Sequence, residues 1–284
     1  MHVLSLALLA TTLASPDGHW RVALHARALA PGEPVRVVVT ATSEVHDLAL
    51  TFLDQAVALE PGQEPGTSRG WAAVPLDAKP GPGEVEVRWT ETGTPRKDRR
   101  TIPIEARTFP EEHLKVESKF VEPPAEVAKR IEEERARLQA LWTGRKPAAA
   151  PLRPFVMPVP GKPTGIFGER RFFNGQPRSP HPGLDLKAAT GTPVLAAGAG
   201  RVALAGDLYW TGGTVVIDHG SGLFTVYGHL SKVEVVEGTV VEAGARVGLS
   251  GATGRVTGPH LHWGAKIGDV PVDPRALRDA RLFP

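Results

Sequence analysis

Five of the ten histidines, His181, His219, His229, His260 and His262, fall within a window of fewer than a hundred residues. His260 and His262 are separated by one residue, so on a strand, where side chains alternate between faces, both point the same way. His181 and Asp185 are four apart, an even spacing that shares one face of an extended segment. Pro182 and Gly183 directly after His181 disfavour a helix there. Two imidazoles and a carboxylate converging on one point make the ligand set of a catalytic zinc with an open fourth position. On spacing alone, His260 and His262 are both candidates for ligation.

Composition sets the frame that must position these groups. A chain of 284 residues has room for about two domains. Its 41% hydrophobic and 23% charged residues describe an ordinary globular protein. A formal charge of +2, with no Lys/Arg cluster of nucleic-acid density, argues against a nucleic-acid partner. Cysteine is absent, which excludes a disulfide framework and a thiol nucleophile. Abundant Gly and Pro with few helix-favouring runs point to a mainly β chain of short strands and turns.

Taken in order, residues 1–15 read as a signal peptide: Val3–Leu13 is apolar, too short to span a bilayer, and followed by small residues. Export to the periplasm, cell envelope or exterior follows as an expectation. Residues 18–108 alternate at period two in Val22/Leu24, Val35/Val37/Val39, Leu48/Leu50/Phe52, Trp71/Ala73, Val85/Val87/Trp89 and Ile102/Ile104. With Pro-Gly turns between them, these read as an immunoglobulin-like β-sandwich. His25, His46 and His113 lack companions at ligand spacing and read as incidental. Residues 109–154 form a linker with a helix over about 125–142, whose stripe of Val127, Ile131, Leu138 and Leu141 is expected to pack between the domains. Residues 155–284 form a second β-domain with an internal repeat: Gly191-Thr192-Pro193-Val194, Ala197-Gly198 and Arg201-Val202 are echoed by Gly238-Thr239-Val240-Val241, Ala243-Gly244 and Arg246-Val247. Two such hairpin units face to face would make a compact antiparallel sandwich.

Four phrases of this domain, Phe167-Gly168-Glu169-Arg170, His181…Asp185, Tyr227-Gly228-His229-Leu230-Ser231 and Thr257-Gly258-Pro259-His260-Leu261-His262-Trp263, together resemble the lysostaphin-like (LytM-type) zinc metallopeptidases, which cut peptidoglycan cross-bridges. The resemblance covers about Phe155 to Pro274 and implies the duplicated hybrid motif fold. It implies that His181, Asp185 and His262 bind Zn2+, and that His229 and His260 are the non-ligand catalytic pair. It also implies an exported endopeptidase with peptidoglycan stems or cross-bridges as partner. An envelope protein could be a second partner through the N-terminal domain.

Other readings compete. A catalytically silent relative would use the same groove to bind wall or to activate another hydrolase; retention of all five residues counts against it. A biotinyl or lipoyl carrier shares the duplicated hairpin but presents its Lys at a hairpin tip, a setting that Lys187 and Lys232 lack. His219, next to Gly220-Ser221-Gly222, reads as a turn residue satisfied by local hydrogen bonds. Trp263 reads as packing. The segments Arg170–Pro180 and Gly206–Gly213 are expected to rim the groove and set bond preference.

Overall fold

The computed structural model describes residues 9–115, 124–144 and 153–283. They form two compact units: the residues up to Arg107 together with the returning segment from Asp279, and Thr108–Arg278.

The first unit is a two-sheet sandwich. One sheet has the order β1-β2-β3-β7-β6, with β1 Leu9–Ala14, β2 Trp20–Ala26, β3 Pro34–Ala41, β6 Glu60–Pro61 and β7 Thr67–Ala73. The other has the order β5-β4-β8-β9, with β4 Val45–Phe52, β5 Gln55–Ala56, β8 Gly81–Glu91 and β9 Thr94–Ile104. The period-two text is the cause: Trp20, Val22, Leu24 and Ala26 alternate inward along β2 and meet Leu50, Phe52, Val85, Val87 and Ile102 of the other sheet in one core. Trp20 meets Trp89 edge-on at 5.9 Å. Residues 1–8 of the expected signal segment lie outside the described residues. Its remainder, Leu9–Ala14, runs antiparallel to β2 and buries Leu13, so pairing outweighs the weak strand preference of Ala and Leu.

In the second unit, helix α1 spans Ala125–Thr143. Its stripe is half-buried. Leu138, Leu141 and Trp142 pack on Leu204, Leu208, Val216 and Phe224, so the helix lies on the sheet of this unit. Glu134, on the same stripe, accepts from Tyr209 N–H at 2.8 Å.

The sheet carries the order β11-β14-β21-β18-β17-β16-β19: β11 Pro163–Gly165, β14 Gly183–Lys187, β16 Gly200–Leu208, β17 Gly212–Asp218, β18 Leu223–Val233, β19 Val240–Val241 and β21 His260–Ile267. Strand β20 Arg246–Ser250 bridges β15 Pro193–Leu195 and β18, and β22 Val270–Val272 pairs with β21. The repeat has a structural meaning. The first strand of each copy pairs with the second strand of the other: β15 with β20, and β16 with β19. Gly191 and Gly238, equivalent in the two copies, both adopt positive φ (89° and 88°), which an L side chain would resist. A separate small sheet joins β10 Glu111–Leu114, β12 Arg170–Phe173 and β13 Gln176–Pro177.

Candidate active site

Strand β21 is the backbone of the site. It is paired on one side with β14, setting His262 opposite Asp185, and on the other with β18, setting His262 opposite Gly228. His260 and His262 are two apart on this strand and both line one groove of about 420 Å3. His181 comes from the loop before β14, where its backbone N–H donates to Glu169 O and its carbonyl accepts from Gly168 N–H, each at 2.9 Å. Gly183 is required here. A Cβ at this position would lie 2.7 Å from His262 Cε1 and 2.8 Å from Trp263 O.

His229 reaches the groove through a bulge. Between the pairs Gly213↔Leu230 and Val215↔Tyr227, β18 holds one residue more than β17. His229 takes up the extra length with φ of +62°, and its N–H donates to Thr211 O at 2.6 Å. Bulges of this kind re-aim a side chain, and backbone in this region is strained for a residue other than Gly.

Three ring nitrogens are each pinned by a backbone carbonyl. Nδ1–H donates to Ile166 O in His181 (3.0 Å), to Thr253 O in His229 (2.8 Å) and to Gly258 O in His260 (2.8 Å). A carbonyl only accepts, so each neutral ring keeps its lone pair on Nε2. His181 Nε2 lies 3.2 Å from His262 Nδ1 and 3.1 Å from Asp185 Oδ1, and His262 Nδ1 lies 2.9 Å from the same oxygen. A proton on His262 Nδ1 would be shared by two acceptors, His181 Nε2 and Asp185 Oδ1, which would still face each other lone pair to lone pair at 3.1 Å; a cation satisfies all three atoms. The triangle also has the right size, since a tetrahedral zinc with bonds of about 2.0–2.1 Å separates its ligand atoms by about 3.3 Å. His260 Nε2 stands further off, 3.7 Å from Asp185 Oδ1, and its ring lies 4.8 Å from that of His229. Among the described residues, His181, Asp185 and His262 bring three donor atoms together in a grouping that could hold a metal ion, and His229 and His260 stand as a pair beside it.

Asp185 is oriented from both ends. Arg171 donates to Oδ2 (3.1 Å), which turns Oδ1 toward the imidazoles, and Arg171 is held in turn by Glu112 Oε2 (3.0 Å) on β10. Burial raises the Asp185 pKa, but the imidazoles of His181 and His262 beside it outweigh that and hold the carboxylate well below its usual range. Burial, with His262 adding to it, pushes His229 down to about 4, so its ring is neutral near pH 7. Among the described residues a second grouping, Asp17, His19 and Glu91, also brings three donors together, but on the solvent side of the first unit, where Arg96 already pairs with Glu91.

His219 lies away from the groove, buried in a closed network. Nδ1–H donates to Ala199 O (2.7 Å), Nε2 lies 2.7 Å from Thr225 Oγ1, and Thr225 lies 3.1 Å from the Tyr227 hydroxyl, which accepts from Ala197 N–H at 2.7 Å. Trp263 is fully buried, as packing requires. Glu169 contributes its carbonyl to His181 rather than its carboxylate to the groove. Sequence reasoning missed Glu112 and Arg255, which line the groove with Arg171, Trp210 and Phe173. Phe173 and Trp210 do fall in the two segments expected to rim it. His113, read as incidental, stacks on Phe172 with ring centres 4.5 Å apart.

Residues 179–274 match Peptidase family M23, a span that contains all five groove residues. The peptidoglycan DD-endopeptidase ShyA of Vibrio cholerae is 46% identical over 95 residues, 34% of this chain and 22% of ShyA. The DD-carboxypeptidase/endopeptidase Mpg of Neisseria meningitidis is 44% identical over 94 residues, 33% of this chain and 22% of Mpg. The chain thus spans only about a fifth of the length of either relative. A crystal structure of a Pseudomonas aeruginosa protein assigned to peptidase M23 superposes with a TM-score of 0.67 at 29% identity, covering 88% of this chain and 95% of that one. The groove-bearing part of the second unit, residues 179–274, is thus similar to peptidase family M23.

Proposed function

We propose that the protein is an exported zinc metalloendopeptidase that hydrolyses peptide cross-links of bacterial peptidoglycan. The observation that carries this reading is the triangle of His181 Nε2, Asp185 Oδ1 and His262 Nδ1 with edges of 2.9–3.2 Å, beside two further imidazoles whose Nε2 lone pairs are fixed by Thr253 O and Gly258 O. The match of residues 179–274 to Peptidase family M23 and the names of ShyA and Mpg support the substrate class. His181, Asp185 and His262 would hold the metal. Bound zinc supplies Lewis acidity and makes a water nucleophilic at neutral pH.

The chain's own groups do the rest. A neutral His229 or His260 accepts a proton from the attacking water at Nε2, the position the carbonyl contact leaves bare. Once protonated, that ring returns the proton to the leaving amine. Its partner, with ring centre 4.8 Å away, stabilises the oxyanion of the tetrahedral intermediate when it carries a proton on Nε2 as well as on Nδ1. Arg171 donates to Asp185 Oδ2 and so sets which oxygen faces the site. The test is metal content together with release of new amines from purified cross-linked peptidoglycan. About one equivalent of zinc with chelator-sensitive release supports the reading, and zinc with no release would favour a silent wall-binding relative.

A further inference from the structure

His229 is held at two points by two different loops. Its backbone N–H donates to Thr211 O (2.6 Å) in the turn between β16 and β17. Its ring Nδ1–H donates to Thr253 O (2.8 Å) in the segment between β20 and β21. The ring keeps its direction only while these loops keep their relation to each other. The Thr253 hydroxyl joins them. Oγ1 accepts from Gly213 N–H (2.9 Å) and donates to Leu230 O (2.8 Å), so it bonds to both residues of the pair that borders the bulge. One residue therefore ties the strands beside His229 with its side chain and the imidazole with its carbonyl.

Two glycines let the hydroxyl reach that place. Gly212 and Gly254 adopt positive φ (58° and 72°), and the two loops meet there backbone to backbone. A Cβ on Gly212 would lie 2.4 Å from Thr253 C, and one on Gly254 would lie 2.3 Å from Gly212 N. Either side chain would force the loops apart. Arg255 N–H donates to Trp210 O (3.0 Å) and closes the same seam. Backbone strained like that of His229, at φ of +62°, persists only where its surroundings over-determine it, and the Thr253 contacts do so here. A valine in place of Thr253 keeps the shape but takes a partner from both Gly213 N–H and Leu230 O.

We propose that Thr253 is a positioning residue for His229: its hydroxyl sets the bulge that aims the imidazole, and its carbonyl keeps the Nε2 lone pair bare toward the groove. The catalytic consequence rests on the peptidase reading of this groove; the ring's tautomer does not.

The test compares wild type, Thr253→Val, Thr253→Ser and Gly254→Ala as full chains, loaded with zinc and isotope-labelled at the histidine nitrogens. Metal content confirms that each is folded. By nuclear magnetic resonance at neutral pH, the two ring nitrogens of His229 should give well-separated signals in wild type, one protonated and one bare. Thr253→Val should draw them together as the ring exchanges between tautomers, while His181, held by Ile166 O, keeps its Nδ1–H signal. Against a cross-linked stem-peptide dimer, Thr253→Val should lose about 10²-fold in kcat with KM and bound zinc nearly unchanged. Thr253→Ser should restore both signals and rate, and Gly254→Ala should behave like the valine variant. The proposal is overturned if Thr253→Val leaves the His229 signals as in wild type, if serine fails to rescue, or if the rate falls only in step with lost zinc, as for a merely structural residue. Signals that move while no form, wild type included, cleaves the dimer would uphold the orienting role and sink the peptidase reading. Equal cleavage by wild type and Thr253→Val would do the reverse.

Discussion

A ring nitrogen fixed by a carbonyl has one tautomer, and this decides what each histidine can do. His181 shows its lone pair to Asp185 and His262, whereas His229 and His260 show theirs to the space beside that triangle. Hence His229→Ala and His260→Ala should retain zinc through dialysis yet lose about 10²–10⁴-fold in kcat, the usual weight of general acid–base catalysis. His181→Ala and Asp185→Ala should lose metal as well as activity. Equal metal content across the four, by atomic absorption, would undo the division. His219 makes a different prediction. Burial depresses its pKa to about 4 from an ordinary 6.5, so the folded state binds its proton less readily than the unfolded state. Its contribution is present above pH 6.5 and is lost as pH falls toward 4. Wild type should therefore lose about 3 kcal/mol more between pH 7 and pH 4 than His219→Gln, read from denaturant midpoints. The five groove residues were legible because types and spacing carry them. Arg255 was not: its place in the groove is set by a ring far earlier in the chain, that of Trp210, and an arginine in a Gly-rich loop has no local signature.

At the level of elements, three neighbouring strands do the positioning, and two backbone devices make them suffice. One is the bulge at His229; the other is Gly183, against which the His262 ring lies. Gly183→Ala should push that ring aside, lowering metal affinity by about 10–100-fold, the usual cost of disturbing a ligand's support. Competition with a chromogenic chelator measures it, and unchanged affinity would mean the ring has room that the packing denies. The alternating strands were readable because a half-buried sheet imposes period two, and Val22, Leu24, Val35, Val37 and Val39 obey it. Strand β1 was read as part of a signal peptide, since Leu-Ala-Thr-Thr-Leu-Ala carries an apolar run without strand-favouring alternation, and only its partner β2 makes it a strand. The parallel pairing of β10 with β12, across 59 residues at Glu112–Arg171, likewise leaves no trace in either segment. The repeat around Gly191 and Gly238 suggested two hairpins face to face, whereas the first strand of each copy pairs with the second strand of the other.

For the whole molecule, the units have separate cores, and the second reaches back to Thr108. A fragment beginning at 108 should therefore keep Glu112 on Arg171 and bind zinc as the full chain does. One beginning at 150 leaves Arg171 with Asp185 alone, and its zinc affinity should fall several-fold; equal affinities would show that β10 does not support the site. Among the described residues, the first unit contributes none to the groove. The central claim is that this groove is a zinc peptidase acting on cell-wall cross-links. It is tested most directly by digesting purified cross-linked peptidoglycan with the metal-loaded full chain and weighing the fragments. The account predicts about one zinc per chain, new amine ends at peptide cross-links, and loss of both on chelation. Stoichiometric zinc with intact cross-links, in the full chain and in the fragment from 108 alike, would contradict it.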